Sequence, residues 1–146
     1  MHRKEFIKIC CVAGLGGSAL SIFLQSCSTS NYFAHSTFSN NRITIQKSEF
    51  IISKNNKSTD RKYILIKSEQ LKYPICIFKI SNENYSALLM ECTHKSCELN
   101  PQDNYLVCPC HGSEFTNTGS VQNPPAEINL KSFKTTTDND NIYVQL

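Results

Sequence analysis

Two short segments combine cysteine and histidine at close spacing, and they are the part of the chain best suited to chemistry. Residues 92–97 read C-T-H-K-S-C, and residues 108–113 read C-P-C-H-G-S. Each segment holds one cysteine and one histidine together with a second cysteine. Thiolates and imidazoles in this combination bind either a tetrahedral zinc ion or an iron–sulfur cluster with mixed ligands.

The second pair of cysteines, Cys97 and Cys110, bears on that choice. A structural zinc site has no evident use for a fifth and a sixth cysteine, whereas a disulfide between the two segments would brace them. Such a disulfide is chemically allowed if the chain is exported from the cytoplasm. Covalent haem is a poor fit, because that motif needs two residues between its cysteines and C-P-C has one.

The two segments together resemble the cluster-binding boxes of Rieske iron–sulfur proteins of the cytochrome bc type, C-T-H-x-G-C and C-P-C-H-G-S. The resemblance implies one bound [2Fe–2S] cluster. It implies that Cys92 and Cys108 are the ligands of one iron and that His94 and His111 are the ligands of the other. A structural zinc ion on the same four residues is the alternative.

The resemblance extends over residues 75–146, about half of the chain. It implies that Cys97 and Cys110 form a disulfide. The stretch Asn123–Ala126, with Pro124 and Pro125 at its centre, resembles the proline loop that shields the cluster in this family.

The mixed ligand set has a chemical purpose. Neutral imidazoles in place of two thiolates make the cluster less negative, so reduction is easier and potentials move to a window of about −150 to +300 mV. An imidazole on ferric iron is a stronger acid than a free one, and reduction raises its pKa. Electron and proton uptake are then coupled, which suits a quinol donor. We therefore expect His94 and His111 at an exposed tip.

The chain departs from the quinol-oxidising members at a few positions near the boxes. Phe115 stands where high-potential members have a tyrosine that donates a hydrogen bond to a ligand sulfur, while Ser113 can still donate to a bridging sulfide. One lost donor predicts a middling potential. Lys95 stands where quinol-docking members have an apolar residue, and Ser96 replaces a glycine. A lysine at the tip disfavours insertion into an apolar quinol pocket.

Residues 1–27 are typical of an export segment. A basic region with Arg3 and Lys4 precedes an apolar, glycine-rich run that is short for a membrane span. The run ends in L-Q-S-C, which resembles a lipobox and predicts lipidation at Cys27. An uncleaved membrane anchor is the alternative. The basic region also resembles a twin-arginine signal, a route that exports folded proteins. Either way, we expect a protein anchored at the extracytoplasmic side of a membrane.

The remainder predicts an all-β domain. Residues 28–41 are rich in Ser, Asn and Thr and predict a flexible tether, so the Rieske domain is expected at 42–146. Short apolar runs divided by polar turns predict little helix and a small antiparallel β-sandwich or barrel, with two cluster-binding loops at one end. Strands are expected at Arg42–Gln46, Glu49–Ile52, Lys62–Ile66, Pro74–Lys79, Tyr85–Met90, Tyr105–Val107, Lys131–Thr137 and Ile142–Val144, with a polar turn at 55–60.

These features predict an electron-transfer protein that is not a self-contained catalyst. The leading interpretation is the Rieske subunit of a quinol–cytochrome c oxidoreductase-like chain, with a quinol-oxidising membrane complex or a c-type cytochrome as redox partner. The alternatives are the small subunit of an exported molybdenum oxidase and a zinc- or disulfide-stabilised module without redox use. Dioxygenase-associated Rieske ferredoxins generally lack the bracing cysteines. No basic stripe follows the export segment, so nucleic acid is not an expected partner. Cys76, inside an apolar run, is expected in the core.

Overall fold

The computed structural model describes residues 31–54 and 56–146, and the regular secondary structure of this part of the chain is almost entirely β-strand. It contains one short 3-10 helix, Lys47–Phe50. Its strands are β1 Thr37–Ser39, β2 Arg42–Gln46, β3 Ile51–Lys54, β4 Lys57–Asp60, β5 Tyr63–Ile66, β6 Ile75–Lys79, β7 Tyr85–Leu89, β8 Asn100–Pro101, β9 Tyr105–Val107, β10 Glu114–Thr116, β11 Val121–Asn123, β12 Ser132–Thr137 and β13 Asn141–Gln145.

The strands form three antiparallel sheets. A seven-stranded base sheet has the order β1-β2-β13-β12-β7-β6-β5. A four-stranded sheet has the order β11-β10-β9-β8, and β3 pairs with β4 in a separate hairpin. In sequence, the first cysteine–histidine segment (92–97) precedes β8 of this four-stranded sheet, and the second (108–113) joins its strands β9 and β10. The predicted small antiparallel β fold is confirmed.

Strands β5, β6 and β7 are buried on both faces, which explains their continuous apolar sequences. On β6, Ile75 and Ile77 face one core cluster together with residues of β2 and β13. Cys76 and Phe78 face a second core cluster, which also contains Leu106 and other residues of the four-stranded sheet. A strand between two apolar layers needs apolar residues at every position, whereas a half-exposed strand alternates. These three strands therefore fasten the four-stranded sheet to the base sheet.

Strands β2 and β13 of the base sheet have one solvent-exposed face, and their burial alternates as expected. In β2, Ile43 and Ile45 are buried between exposed or half-buried neighbours, and in β13 Ile142 and Val144 are buried in the same way. This period-2 pattern fixes the register, because a slip by one residue would turn the apolar side chains to solvent. Both strands match their predicted positions closely.

Two expectations about the first half of the chain need correction. Within the tether predicted for 28–41, residues 37–39 form β1, and Leu65 donates its N–H to the Tyr32 carbonyl at 2.9 Å. Tyr32 and Ala34 pack against the core of the base sheet, so aromatic and apolar side chains outweigh the polar composition here. The polar turn predicted for 55–60 is mostly strand β4, which is exposed throughout and so carries no apolar signal.

Residues 1–30 lie outside the described residues, and with them the predicted export segment and Cys27. In the described part of the chain, no helix has the length and apolar character needed to cross a membrane. The run predicted as a strand at Glu49–Ile52 is divided in the structure. Its first half belongs to the 3-10 helix and its second half begins β3.

Candidate metal centre

The two cysteine–histidine segments fold into loops with the same backbone frame. We call residues 92–97 the first loop and residues 108–113 the second loop. In the first loop the N–H of Cys92 donates to the Cys97 carbonyl at 2.9 Å, and the N–H of Ser96 donates to the Cys92 carbonyl at 2.8 Å. In the second loop Cys108 donates to Ser113 at 2.8 Å, and Gly112 donates to Cys108 at 3.0 Å. In each loop the first and last residues are five positions apart, and the two loops close with the same pair of backbone hydrogen bonds.

Both loops turn through a left-handed residue at the same position. Ser96 has φ +51° and Gly112 has φ +79°. This conformation is readily available to glycine and disfavoured for serine, because a Cβ crowds the following carbonyl. The serine that replaces a glycine of the family pattern therefore keeps the glycine conformation.

The structure brings the predicted ligands together in two pairs. The Cys92 and Cys108 thiols are free, each residue is only 1% exposed, and Cys92 is close enough to raise the pKa of the Cys108 thiol. The imidazole rings of His94 and His111 are edge to face, with their centres 4.9 Å apart. His111 is exposed, as expected, but His94 is half-buried.

One buried atom indicates that a ligand belongs between these residues. The Nδ1 atom of His94 is buried and has no hydrogen-bond partner. Burying a polar nitrogen without a partner is costly, and such atoms in native proteins call for an explanation. An imidazole nitrogen that binds iron is satisfied by the metal. Two free thiols and two imidazoles carried by the same two loops, one imidazole with an unsatisfied nitrogen, therefore fit a cluster whose irons have different ligands.

The predicted disulfide between Cys97 and Cys110 is present and joins the two loops covalently. The sulfurs of Cys97, Cys108 and Cys110 lie within 4.8 Å of one another. Two of these three sulfurs are in the disulfide and cannot act as thiolates, so this compact group is not itself a metal site. It shows instead that the disulfide packs directly against the Cys108 thiol.

Different groups around Cys108 shift the pKa of its thiol in opposite directions. Burial raises its pKa, and the nearby Cys92 raises it further. Backbone N–H groups of Cys110 and His111 donate to the sulfur and lower the pKa. Such N–H groups stabilise negative charge on sulfur, which is the state in which cysteine binds a metal.

The stretch that resembles a proline loop is fastened to the second loop. The buried Ser113 hydroxyl accepts the N–H of Ala126 at 3.0 Å. Asn123 donates from Nδ2 to the Gly112 carbonyl at 3.3 Å. Pro124 and Pro125 lie between these two contacts and are exposed. Because a hydroxyl both accepts and donates, Ser113 keeps its own proton for a further acceptor.

Phe115 and Lys95 lie in contrasting environments. Phe115 is fully buried, in the same core cluster as Cys92 and Cys108, and its ring offers no hydrogen-bond donor there. Lys95 is exposed, next to His94 in the first loop. Cys76 is fully buried in a β-strand, as expected, and burial raises the pKa of its thiol well above the usual range.

One residue at the site was not predicted from the sequence. The hydroxyl of Tyr73 donates a hydrogen bond to the Ser96 carbonyl of the first loop. Tyr73 lies 19 positions before the first ligand cysteine, in a segment with no repeated pattern. A single aromatic residue between a lysine and a proline gives no signal that it reaches a distant loop.

Comparison with known proteins agrees with this geometry. Residues 50–134 match the family model of the Rieske [2Fe-2S] domain. The chain is 42% identical over 55 residues to the cytochrome b6-f complex iron-sulfur subunit of Prochlorococcus marinus (strain MIT 9303), which covers 36% of this chain and 31% of that protein. It is 37% identical over 68 residues to the same subunit of Synechococcus elongatus, covering 45% of this chain and 36% of that protein. The chain thus spans about a third of the length of these curated relatives.

A solved structure also matches this chain, and the match covers most of that structure's own length. The crystal structure of the cyanobacterial plasma membrane Rieske protein PetC3 from Synechocystis PCC 6803 superposes with a TM-score of 0.52. The two are 31% identical, and the match covers 58% of this chain and 87% of that one. The chain belongs to the Rieske [2Fe–2S] family and carries one such cluster.

Proposed function

We propose that Cys92, His94, Cys108 and His111 hold the cluster and that the protein transfers single electrons. The observation that carries this proposal is that two loops of the same frame hold two buried free thiols and a pair of adjacent imidazoles, one of which has a buried, unsatisfied nitrogen. A Rieske cluster supplies one-electron chemistry at a potential raised by its imidazole ligands.

The protein's own groups determine how that chemistry is tuned. The N–H groups of Cys110 and His111 stabilise thiolate charge on Cys108. Ser113 retains a hydroxyl proton that can be donated toward the cluster, whereas Phe115 offers none. With fewer donors to stabilise the reduced, more negative state, the protein has a middling potential for its class.

The exposed second loop is the route for electrons. His111 is exposed while the two thiols are buried, so a partner approaches the imidazole side of the site. A half-buried His94 leaves His111 as the more accessible imidazole for a proton-coupled step. This arrangement supports electron exchange with a protein or quinol that docks at the loops.

The protein acts at the extracytoplasmic face of a membrane, in a chain that oxidises quinol and passes electrons to a c-type cytochrome. Residues 1–27 form its export and anchor segment, with lipidation at Cys27. Two kinds of similarity support the setting: the relatives named as subunits of the cytochrome b6-f complex and the Rieske protein named for the plasma membrane.

Lys95 favours a second candidate partner. It is exposed in the first loop, where the family's quinol-docking members have an apolar residue, and a charged tip is costly to insert into an apolar pocket. A soluble catalytic subunit, such as that of an exported molybdenum oxidase, would accept this charge at its surface. A Lys95→Leu variant that gains quinol-linked reduction would show that Lys95 hinders quinol docking and would favour the soluble subunit, whereas unchanged quinol-linked reduction would favour the quinol partner.

The test of the proposed function is an EPR spectrum of the dithionite-reduced protein, followed through redox titrations at several pH values. The expected result is a rhombic [2Fe–2S] signal with an average g below 2 and a potential that falls as pH rises, since imidazole deprotonation accompanies oxidation. An EPR-silent protein with one zinc and no iron per chain would overturn the proposal.

A further inference from the structure

The equivalent carbonyls of the two loops are both held by side chains from outside the loops. The Ser96 carbonyl accepts a hydrogen bond from the Tyr73 hydroxyl. The Gly112 carbonyl accepts one from Asn123 Nδ2 at 3.3 Å. Ser96 and Gly112 are the left-handed residues of the two loops, so the same peptide group is fixed in each loop by a different element.

Tyr73 is well placed to transmit rigidity from the base sheet. Its ring is half-buried and packs against the core of that sheet, and the Lys72 ammonium lies 4.9 Å from the ring centre. The backbone around it is fixed on both sides, because Leu71 donates to Ser68 at 3.1 Å and Met90 donates to Pro74 at 2.9 Å. Because the backbone segment that carries Tyr73 is held on both sides, the Tyr73 hydroxyl is a pre-organised donor.

The peptide that Tyr73 holds is the most demanding one in the first loop. Ser96 occupies a conformation that disfavours residues other than glycine, so this turn needs support that Gly112 does not need. The same peptide leads directly into Cys97, one end of the disulfide, and lies two residues after His94. Its orientation therefore affects both the histidine and the disulfide.

We infer that Tyr73 is a positioning residue of the first cluster loop, acting through the Ser96 carbonyl on His94 and Cys97. The inference rests on the proposed function, because it needs His94 as a ligand. The hydroxyl proton also offsets the negative end of the peptide dipole beside the site. Its removal therefore makes an added electron less favourable.

The test compares Tyr73→Phe with Tyr85→Phe in the cluster-loaded protein. Tyr85 is the matched control because its hydroxyl also donates to a backbone carbonyl, that of Asn82 at 3.3 Å, but in the base sheet. In Tyr73→Phe we expect broadened EPR features, a lower midpoint potential at every pH, and several-fold faster loss of the cluster to a chelator. In Tyr85→Phe we expect the wild-type spectrum and potential.

The outcomes separate this inference from the proposed function. A Tyr73→Phe protein with the wild-type spectrum, potential and rate of cluster loss would overturn the positioning role. A fall in thermal unfolding temperature with an unchanged spectrum and potential would also overturn it, since it would show a merely structural contact. A wild-type protein with no [2Fe–2S] signal would overturn the proposed function itself, and this inference with it.

Discussion

The first and second loops share a backbone frame but differ in what supports them. Both close with the same two hydrogen bonds and the same left-handed turn. Tyr73, which packs against the base sheet, holds the first loop, whereas Asn123 of β11 in the four-stranded sheet holds the second loop. The first loop also has a non-glycine residue at the left-handed position.

The difference shows how one frame can serve two tasks. The second loop has glycine at its turn and an exposed histidine, and its N–H groups point at the Cys108 sulfur. The first loop has a half-buried histidine and a strained serine, and it is tied to distant residues through the Ser96 carbonyl and the Thr93 hydroxyl. Because His111 is the more exposed of the two histidines, we interpret the second loop as the face offered to partners.

The largest expected effect tests whether the second loop contributes a ligand thiol to the cluster. Cys108→Ala should abolish the [2Fe–2S] EPR signal, because a cluster cannot keep an iron that has lost its thiolate. Cys76→Ala is the matched control: Cys76 is another buried free cysteine, and its loss should cost about 1 kcal/mol of stability while leaving the signal intact. Iron analysis and EPR of both variants decide the matter. A Cys108→Ala protein that keeps the full signal would remove Cys108 from the ligand set.

The next largest effect concerns the covalent link between the loops. The disulfide joins residues 13 positions apart, and a closed loop of this size stabilises a protein by about 3 kcal/mol. The double variant Cys97→Ala/Cys110→Ala should lower the free energy of unfolding by that amount in denaturant titrations. Wild-type protein treated with a strong reductant should approach the same value. Equal unfolding midpoints for the variant and the oxidised wild type would contradict this stabilising role.

The sequence was most informative where residues repeat a pattern or form a motif. The apolar runs of β5, β6 and β7 predicted strands, and the two boxes predicted a disulfide that the structure contains. The boxes and the strands are local features, each contained in a few consecutive residues. Local signals of this kind can be read without knowing the fold.

The remaining features depend on contacts between distant parts of the chain. Strand β4 is fully exposed and has no apolar pattern, and β8 is only two residues long. Tyr32 and Ala34 pack against the base core although the stretch 28–41 around them is rich in polar residues. Tyr73 reaches Ser96 across 23 positions, so its role becomes visible only in three dimensions.

A smaller effect tests the strained turn directly. Gly112→Ala should lower the free energy of unfolding by about 1–2 kcal/mol, because alanine pays the left-handed backbone cost. No atom lies within 4 Å of the added Cβ, so a steric clash would not confuse the result. Ser96→Gly removes the left-handed backbone strain from the folded state but also makes the unfolded chain more flexible. These effects oppose each other, so the free energy of unfolding should change by no more than about 1 kcal/mol. Denaturant unfolding measures both. A larger loss for Ser96→Gly than for Gly112→Ala would contradict the comparison of the two turns.

The smallest effect comes from the turn between β12 and β13, which serves as a reference because it belongs to the base sheet. Asp138 accepts hydrogen bonds from the Tyr143 hydroxyl at 2.5 Å and from the N–H groups of Asn141 at 2.7 Å and Asp140 at 2.9 Å. These bonds, that of Tyr143 foremost, lower the pKa of Asp138 from 3.8 to about 2. Because the folded pKa is below the unfolded one, the carboxylate stabilises the fold above pH 3.8, and this contribution is lost as pH falls toward 2.

Asp138→Asn should therefore be slightly less stable than wild type at neutral pH, with the difference shrinking between pH 4 and pH 2 in circular dichroism unfolding curves. A difference that stays constant down to pH 2 would show that the charge of Asp138 is not responsible. The EPR signal at neutral pH should be unchanged, since this turn supports neither loop.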